Sequence, residues 1–490
     1  EYVLMGEGAD ARQRLNLQVA SGDMLDVYGH WIYDVGQVLQ WAEDGMVLHL
    51  DELIDEYAPN IKGLLDHYGG AMAVLKDTGS GKYVFTPGMT ASWETVHGIP
   101  AINKAWLDRL GLDVPRDADE LLDVLRAFRD HDADGDGNPN NEIPTLFRLA
   151  NTHWWGGQRF AGFIASFYFG IHATTPGYVT EDGRLDYFWR HPRAQEFLQY
   201  LATLYHEGLM PADSLSVDNS SYDSRIRGGN IGLVNAWTTH RILGGDHSYD
   251  QYVWLVPDHD EPAMYHRVHT DHAFRTGMFL SARTRNPEVT MRWVDTLYSK
   301  EPGMRISRGP IEWLDDAKTQ WRNVPPPDGI TGTDWVMNHF TVNNFFSNFE
   351  LPGVTQLPDD DDLAGIEFMA YHKMIAERGL IPETTAPRFF WPITVEESER
   401  HSAIYEEVRA YHESEVAKMI FDNDVSDARW NRFQQDMKRL GIEDMLDIMN
   451  VVMQRAIGLG FEPEVRKTAW YRAALEIPYD YQQFLELGTR

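Results

Sequence analysis

Apolar residues recur along the chain with helical spacing in some stretches and in short runs in others, and this pattern divides it into short helices and shorter strands. Over residues 9–20 the apolar positions Leu15, Leu17 and Val19 predict a helix, with strands at 2–5 and 26–28 on either side. The run DELIDEY at 51–57 reads as a helix stopped by Ala58-Pro59. Gly and Pro punctuate short apolar runs over 80–100, which predicts strands and turns. Two amphipathic helices follow at 105–110 and 117–129, the second with Leu121, Leu122, Leu125 and Phe128 on one face. An Asp/Gly/Asn loop at 131–142 then leads into an aromatic-rich segment at 151–172. Residues 193–209 have helical spacing, 224–237 pass from a basic turn into an apolar strand, and 250–258 and 273–283 read as strands. A helix at 287–299 opens after Asn286-Pro287, and the polar segment 322–333, with prolines at 325–327, predicts a loop or linker. From Asp361 onward the pattern is helical, interrupted at 382–394. Strands alternating with helices, followed by a helical tail, indicate α/β units with helical additions.

Composition narrows the function classes. Hydrophobic residues are 43% and charged residues 24% of the 490, so the chain folds, and its length predicts more than one domain. Lys and Arg number 43 against 75 Asp and Glu, a formal net charge of −32, which repels phosphate backbones and anionic lipid surfaces. Nucleic acid and peripheral membrane binding are excluded as expectations. The longest apolar stretch, Gly162 to Ile171, is half the ~20 residues of a spanning helix. The absence of cysteine removes disulfides, thiolate metal sites and Cys nucleophiles together. The first residues carry no basic region followed by an apolar one, so no signal peptide is displayed.

The sharpest local signal is Asp132-Ala133-Asp134-Gly135-Asp136-Gly137-Asn138-Pro139-Asn140-Asn141-Glu142. Oxygen donors at loop positions 1, 3 and 5 with Gly at 6 suit calcium, which takes 6–8 oxygens around a sharp turn. The preceding helix completes the first half of an EF-hand, but Glu142 falls at position 11 instead of 12, and Ile143-Pro144 stands where a second helix would begin. The expected ligands are the side chains of Asp132, Asp134, Asp136, Asn140 and Glu142 and the carbonyl of Asn138, around a structural ion. A solvated acidic turn is the bland alternative. Aromatic residues make up 12% of the chain, including 16 Trp, and cluster at His30-Trp31-Ile32-Tyr33, Trp154-Trp155, Trp237 and Phe389-Phe390-Trp391. A flat indole face stacks on the C–H face of a pyranose, so a sugar is the natural ligand, although most single aromatics belong to the core. No GxSxG, HExxH, P-loop or GxGxxG is present, and the histidines of HRVHTDH at 266–272 lack a coherent partner pattern. Paired carboxylates keep a glycoside-processing α/β enzyme as the alternative.

Several segments, in order along the chain, resemble the extracellular solute-binding lipoproteins of bacterial carbohydrate ABC transporters, family 1, in the calcium-containing branch that includes the alginate-binding proteins. They are LNLQVASGDMLDV (15–27), DELIDEYAPNI (51–61), NKAWLDRLGLDVP (103–115), ELLDVLRAFRDHDADGDGNPNNEIP (120–144), YLATLYHEGLM (200–210), IRGGNIGLVNAW (226–237), and the tail from PITVEESE at 392 to residue 456. Leu25 stands where the family's SGDxPD motif usually has proline, and the loop is one residue longer than the common form, leaving Asn140 and Asn141 as alternative ligands. The resemblance implies a two-lobe, periplasmic-binding-protein-like α/β fold with a hinge and a helical C-terminal region, and no catalysis. One lobe is expected from 1–100 plus 273–325 and the other from 101–272 plus 326–490, with the hinge near 98–102, 272–274 and 322–333. An oligosaccharide would bind in the cleft against His30, Trp31, Tyr33, Trp154, Trp155, Trp237 and Trp391, and be delivered to permease subunits. Arg225, Arg227 and Arg241 could neutralise an acidic sugar. The resemblance further implies a monomer anchored outside the cell membrane, or in the periplasm of a double-membrane bacterium. Its lipid-bearing Cys and signal peptide, like the fold's first strand and helix, are expected upstream of residue 1.

Overall fold

The structure is a computed structural model of the chain. It describes residues 5, 8–29, 33–68, 75–90, 99–146, 163–165, 167–171, 177–180, 182–214, 216–217, 221, 224–225, 230–236, 252–256, 273–325, 327, 355–356, 363–381, 383–384, 392–460, 462–467 and 469–485. Of the expected first strand, Met5 alone is described, and it is buried.

The helix Gly8–Ser21 buries Leu15 and Val19, which stand four apart on one face. Leu17, two residues from each, points the other way and is 63% exposed. Strand Val27–Tyr28 pairs antiparallel with Phe279–Leu280, so the first core closes only with residues from much later in the chain. Helix Val35–Glu43 is capped by Asp34, whose side chain accepts from the Gln37 amide at 3.1 Å. Pro59, read from sequence as a stop, instead opens a second helix, Pro59–Tyr68, directly after Asp51–Tyr57. A first-turn proline gives up an amide that has no intrahelical partner anyway. Asp295, on the helix Pro287–Thr296, caps it by accepting from Asn60 Nδ2 at 2.7 Å and the Ile61 amide at 2.8 Å. These elements fill two clusters of buried side chains, one around Leu15, Tyr28, Trp41, Phe85 and Phe279, the other around Leu50, Ile61, Leu64, Leu280, Met291 and Val294.

From this core an antiparallel ribbon departs, Pro87–Thr90 against Ala273–Thr276, with Pro87 opposite Thr276 and Thr90 opposite Ala273. The chain passes through it outward before the strand Ile99–Asn103 and returns through it after Tyr252–Trp254. Those two strands belong to a four-stranded sheet of order Ile143–Thr145, Ile231–Ala236, Ile99–Asn103, Tyr252–Trp254. The first pair is parallel and the others antiparallel. Helix Lys104–Leu110 is capped by Asn103 and closed by Gly111 in the left-handed region. Helix Ala118–Asp130 is capped by Asp117, buries Leu121, Val124, Leu125 and Phe128, and lays Phe128 on the sheet at Gly232. A Cβ on Gly232 would lie 2.7 Å from both Phe128 Cε2 and the Pro144 carbonyl oxygen, so only glycine admits the ring.

The large cluster around this sheet also takes in Phe163, Phe167, Phe197, Tyr371, Met445 and Phe484. The C-terminal helices Leu363–Glu377, Val395–Asp422, Asp427–Arg439 and Ile442–Gly458 pack on it, as the sequence pattern anticipates. Val395–Asp422, 28 residues long, opens with a capping box between Thr394 and Glu397. Its Val408, Met419 and Ile420 lie in the large cluster, whereas Val395 packs on the first core and Ser398 meets Gly36. Both Glu397 carboxylate oxygens accept from Arg455 at 2.8 Å, and these bonds hold the carboxyl down to about 2. The sequence pattern did not foretell the three-stranded sheet of Ile311–Trp313, Gln320–Asn323 and Thr355–Gln356; the expected loop at 322–333 begins inside its central strand.

Candidate functional site

The acidic loop joins helix Ala118–Asp130 to the edge strand Ile143–Thr145, so its shape is fixed at both ends by the core. Asp132 accepts from the amides of Gly135 at 2.8 Å and Gly137 at 3.1 Å, and Asp134 from the Asp136 amide at 2.9 Å. Asp136 accepts from the Asn138 amide at 2.7 Å and from Asn141 Nδ2 at 2.8 Å. Glu142 reaches back across the loop to the Ala133 amide at 2.8 Å. Gly135 and Gly137 have φ of +77° and +90°, a region costly for any residue with a Cβ, and Arg109 holds the Ala133 carbonyl at 2.6 Å. The turn is therefore wound so that carboxylate oxygens of Asp132, Asp134 and Glu142 all lie within 4.8 Å of one another.

Two further atoms test the fit of a cation. Glu142 Oε2 and Asn141 Oδ1 are buried and lack a hydrogen-bond partner. An oxygen left without a donor in a buried place costs roughly 1–3 kcal/mol, more when charged, unless something positive meets it. All the donors are hard oxygens, the set calcium prefers. The structure also separates the two asparagines that the sequence left open. Asn140 is exposed, whereas Asn141 turns inward, its side-chain Nδ2 donating to Asp136 and its backbone carbonyl accepting from Asn230 Nδ2 at 2.8 Å. Of the two, Asn141 is the one with a buried side-chain oxygen that lacks a hydrogen-bond partner. Asp136 and Asn138 are exposed on the outer side of the turn.

Of the expected sugar-contacting residues, His30, Trp31, Trp154, Trp155, Trp237 and Trp391 lie outside the described residues. Tyr33 is described, and it is core: 9% exposed, its ring stacked on Phe85, its hydroxyl donating to the Gly277 carbonyl at 2.8 Å. Its ring is packed on Phe85 and Phe279 and its hydroxyl is engaged, so it offers no platform in this conformation. Arg225 is bound to Asp213 at 2.7 and 2.5 Å, so its charge is already answered. Among described tryptophans, Trp41, Trp106, Trp189, Trp254, Trp321 and Trp430 are buried, as the bland reading of single aromatics has it.

The strand register reveals something that spacing along the chain does not. Ile99 lies opposite Ala236, Ala101 opposite Trp254, and Thr145 beside Leu233. Hence Ile99, Thr145, Ala236 and Trp254 stand at one and the same end of the sheet. In sequence, Trp237 follows Ala236 directly, and Trp154 and Trp155 come after Thr145. Crevices at strand ends are where open α/β sheets take ligands.

No protein-family model matches the chain. The fructooligosaccharide ABC transporter substrate-binding protein FusA of Streptococcus pneumoniae is 24% identical over 467 residues, spanning 90% of this chain and 82% of FusA. The structure of FusA in complex with kestose superposes with a TM-score of 0.76 at 22% identity, covering 92% of this chain and 91% of FusA. This is the two-lobe fold of solute-binding proteins. FusA is a fructooligosaccharide-binding component of an ABC transporter. A solute-binding protein of Bifidobacterium longum infantis, described as binding human milk oligosaccharides (HMO), has the same fold at a TM-score of 0.70 and 21% identity, over 91% of this chain and 90% of that one. The alginate-binding protein AlgQ2, solved without calcium ion, gives 0.59 at 19% identity over 91% and 89% of the chains. FusA has also been solved as an EF-hand mutant. Within the solute-binding fold of the present chain, the acidic loop and the strand-end convergence both fall in the part built on the four-stranded sheet.

Proposed function

We propose that the chain is the substrate-binding component of an ABC transporter, capturing an oligosaccharide between two lobes and handing it to permease subunits outside the cytoplasmic membrane. The observation that carries this reading is the match to FusA over nine-tenths of both folds, reinforced by the strand ends Thr145, Ala236 and Trp254 lying together, with Trp237 next in sequence after Ala236. The lobes are proposed as 1–100 plus 273–325 and 101–272 plus 326–490; the buried clusters support the split in outline, although Ile99 belongs to the large cluster, Val395 packs on the first core, and Met304, Ile311 and Trp321 form a cluster of their own. Trp154, Trp155, Trp237, His30, Trp31 and Trp391 are the proposed contacts, with Tyr33 supporting the lobe behind them. A calcium ion is proposed in the acidic loop, held by Asp132, Asp134 and Glu142 with Asn141, where it would brace the sheet edge next to 147–162 without joining any chemistry.

Kestose, nystose, milk-type oligosaccharides and alginate oligosaccharides, titrated calorimetrically with the reaction mixture analysed afterwards, test the reading. Binding of at least one class with the sugar recovered intact is expected, and Trp237→Ala should weaken it about 30-fold, the size of a buried aromatic hot spot. Release of a cleaved product, or no binding to any of them, would overturn it.

A further inference from the structure

The ribbon Pro87–Thr90/Ala273–Thr276 carries two of the chain's passes between the cores, and its root is built unlike an ordinary ladder. Thr86 still bonds through its backbone to both neighbours across the ribbon, accepting from the Gly277 amide at 2.8 Å and donating its amide to Met278 O at 2.8 Å. The Met278 amide instead donates to the Thr86 hydroxyl at 2.9 Å. That hydroxyl shares a hydrogen bond of 2.6 Å with the Tyr298 hydroxyl, which also lies 2.8 Å from the Pro87 carbonyl oxygen. On the other side Tyr33 donates to the Gly277 carbonyl at 2.8 Å. Thr86 is fully buried and Tyr298 is 3% exposed, and burial keeps the Tyr298 phenol protonated far above neutrality. A Cβ on Gly277 would fall 2.7 Å from Thr86 Oγ1 and 2.8 Å from Thr86 O, so the glycine is what lets the strands close on this knot.

We propose that the hydroxyls of Thr86, Tyr298 and Tyr33 are positioning groups that clamp the root of the inter-lobe ribbon and set the angle at which it leaves the first core. Two strands alone twist more easily than a wider sheet, and a small rotation at their root is multiplied over the length of the second lobe. Here both strands are tied, at adjacent residues, to side chains from two other elements: Tyr298 just beyond helix Pro287–Thr296 and Tyr33 ahead of helix Val35–Glu43. None of the three hydroxyls need touch the ligand, yet they fix how the two halves of a binding cleft face each other. The proposal deepens the function proposed above by naming what holds the lobes in register, and it rests on that reading only for its consequence on affinity.

The chain has no cysteine, so an exposed pair such as Arg14→Cys and Arg432→Cys, one on each core, accepts spin labels cleanly. The distance distribution between them is measured without sugar, in the parent and in Thr86→Val, Tyr298→Phe and Thr86→Ser. Thr86→Val and Tyr298→Phe should shift or broaden the distribution, and Thr86→Ser, which keeps the hydroxyl, should reproduce the parent. In the sugar titration the first two should also bind about tenfold more weakly, within the usual range of coupling between distant groups. An unchanged distribution in both hydroxyl-deleted variants overturns the proposal, even if their melting midpoints fall, because the knot would then be structural only. A Thr86→Ser distribution as broad as that of Thr86→Val also overturns it. If Thr86→Val fails to fold, Tyr298→Phe, which removes a single atom, decides alone. Altered distributions in a protein that binds none of the sugars support the clamp and refute the transport reading instead.

Discussion

Replacing Glu397 by Gln isolates one charge pair at the head of the long C-terminal helix. The carboxylate accepts from both Arg455 guanidinium nitrogens at 2.8 Å and from the Thr394 amide at 2.9 Å, with its side chain 22% exposed. The Arg455 bonds foremost, aided by the Thr394 amide, bring the carboxyl from its ordinary 4.5 to about 2. At ~1.36 kcal/mol per tenfold change in proton affinity, that difference corresponds to about 3 kcal/mol of stability. The carboxyl is more acidic folded than unfolded, so its contribution is complete above pH 4.5 and is lost as pH falls from there toward 2. With a urea m-value of roughly 3 kcal/mol/M, Glu397→Gln should lower the unfolding midpoint by about 1 M at pH 7. By pH 3 the gap between parent and variant should have closed by about half. Because the chain carries 75 acidic residues that titrate over much of this range, the informative quantity is the gap, measured by urea titration at each pH. No gap at pH 7, or one that stays constant down to pH 3, would refute the reasoning.

If the acidic loop holds calcium with a dissociation constant near ~10 μM, ~1 mM calcium adds about 2.7 kcal/mol. Chelator should then lower the melting midpoint by several degrees, and Glu142→Gln should erase the difference; identical melts with and without chelator count against the site. Gly232→Ala must displace Phe128 or the Pro144 carbonyl and should cost about 1–3 kcal/mol in urea unfolding, partly recovered by adding Phe128→Leu. A neutral Gly232→Ala would mean that helix Ala118–Asp130 is free to move off the sheet.

What the sequence showed best were features whose cause is local. The helix expected at 117–129 and found at 118–130 announces itself through its apolar spacing, although Asp117 proves to be its cap, and the calcium-like loop through its alternating oxygens and glycines. Leu17 shows the limit of counting apolar residues without their period, since its place two positions from Leu15 and Val19 turns it to solvent. Pro59 shows that a proline marks a boundary without saying which side is helical. The strands were the hardest to read, because pairs such as Val27–Tyr28 with Phe279–Leu280 are two residues long and stabilised by partners some 250 positions away. For the same reason Tyr33 looked like part of an aromatic recognition cluster. Its true neighbours, Phe85, Gly277 and Phe279, are distant in sequence, and nothing around position 33 foretells them.

The interleaving of the two cores carries a consequence for synthesis. Tyr33 waits for Gly277, Asn60 for Asp295, and the face that receives Val395 waits longer still. A ribosome adding ~5–20 residues per second needs roughly 12–50 s to span the interval between Tyr33 and Gly277. Throughout that time the amino-terminal helices exist without the strands and the tyrosine that complete their core. The nascent chain therefore stays unfinished over most of its translation, in a form that a translocation channel could thread and a protease could cut. A truncation after the first hundred residues should yield no independently folded half.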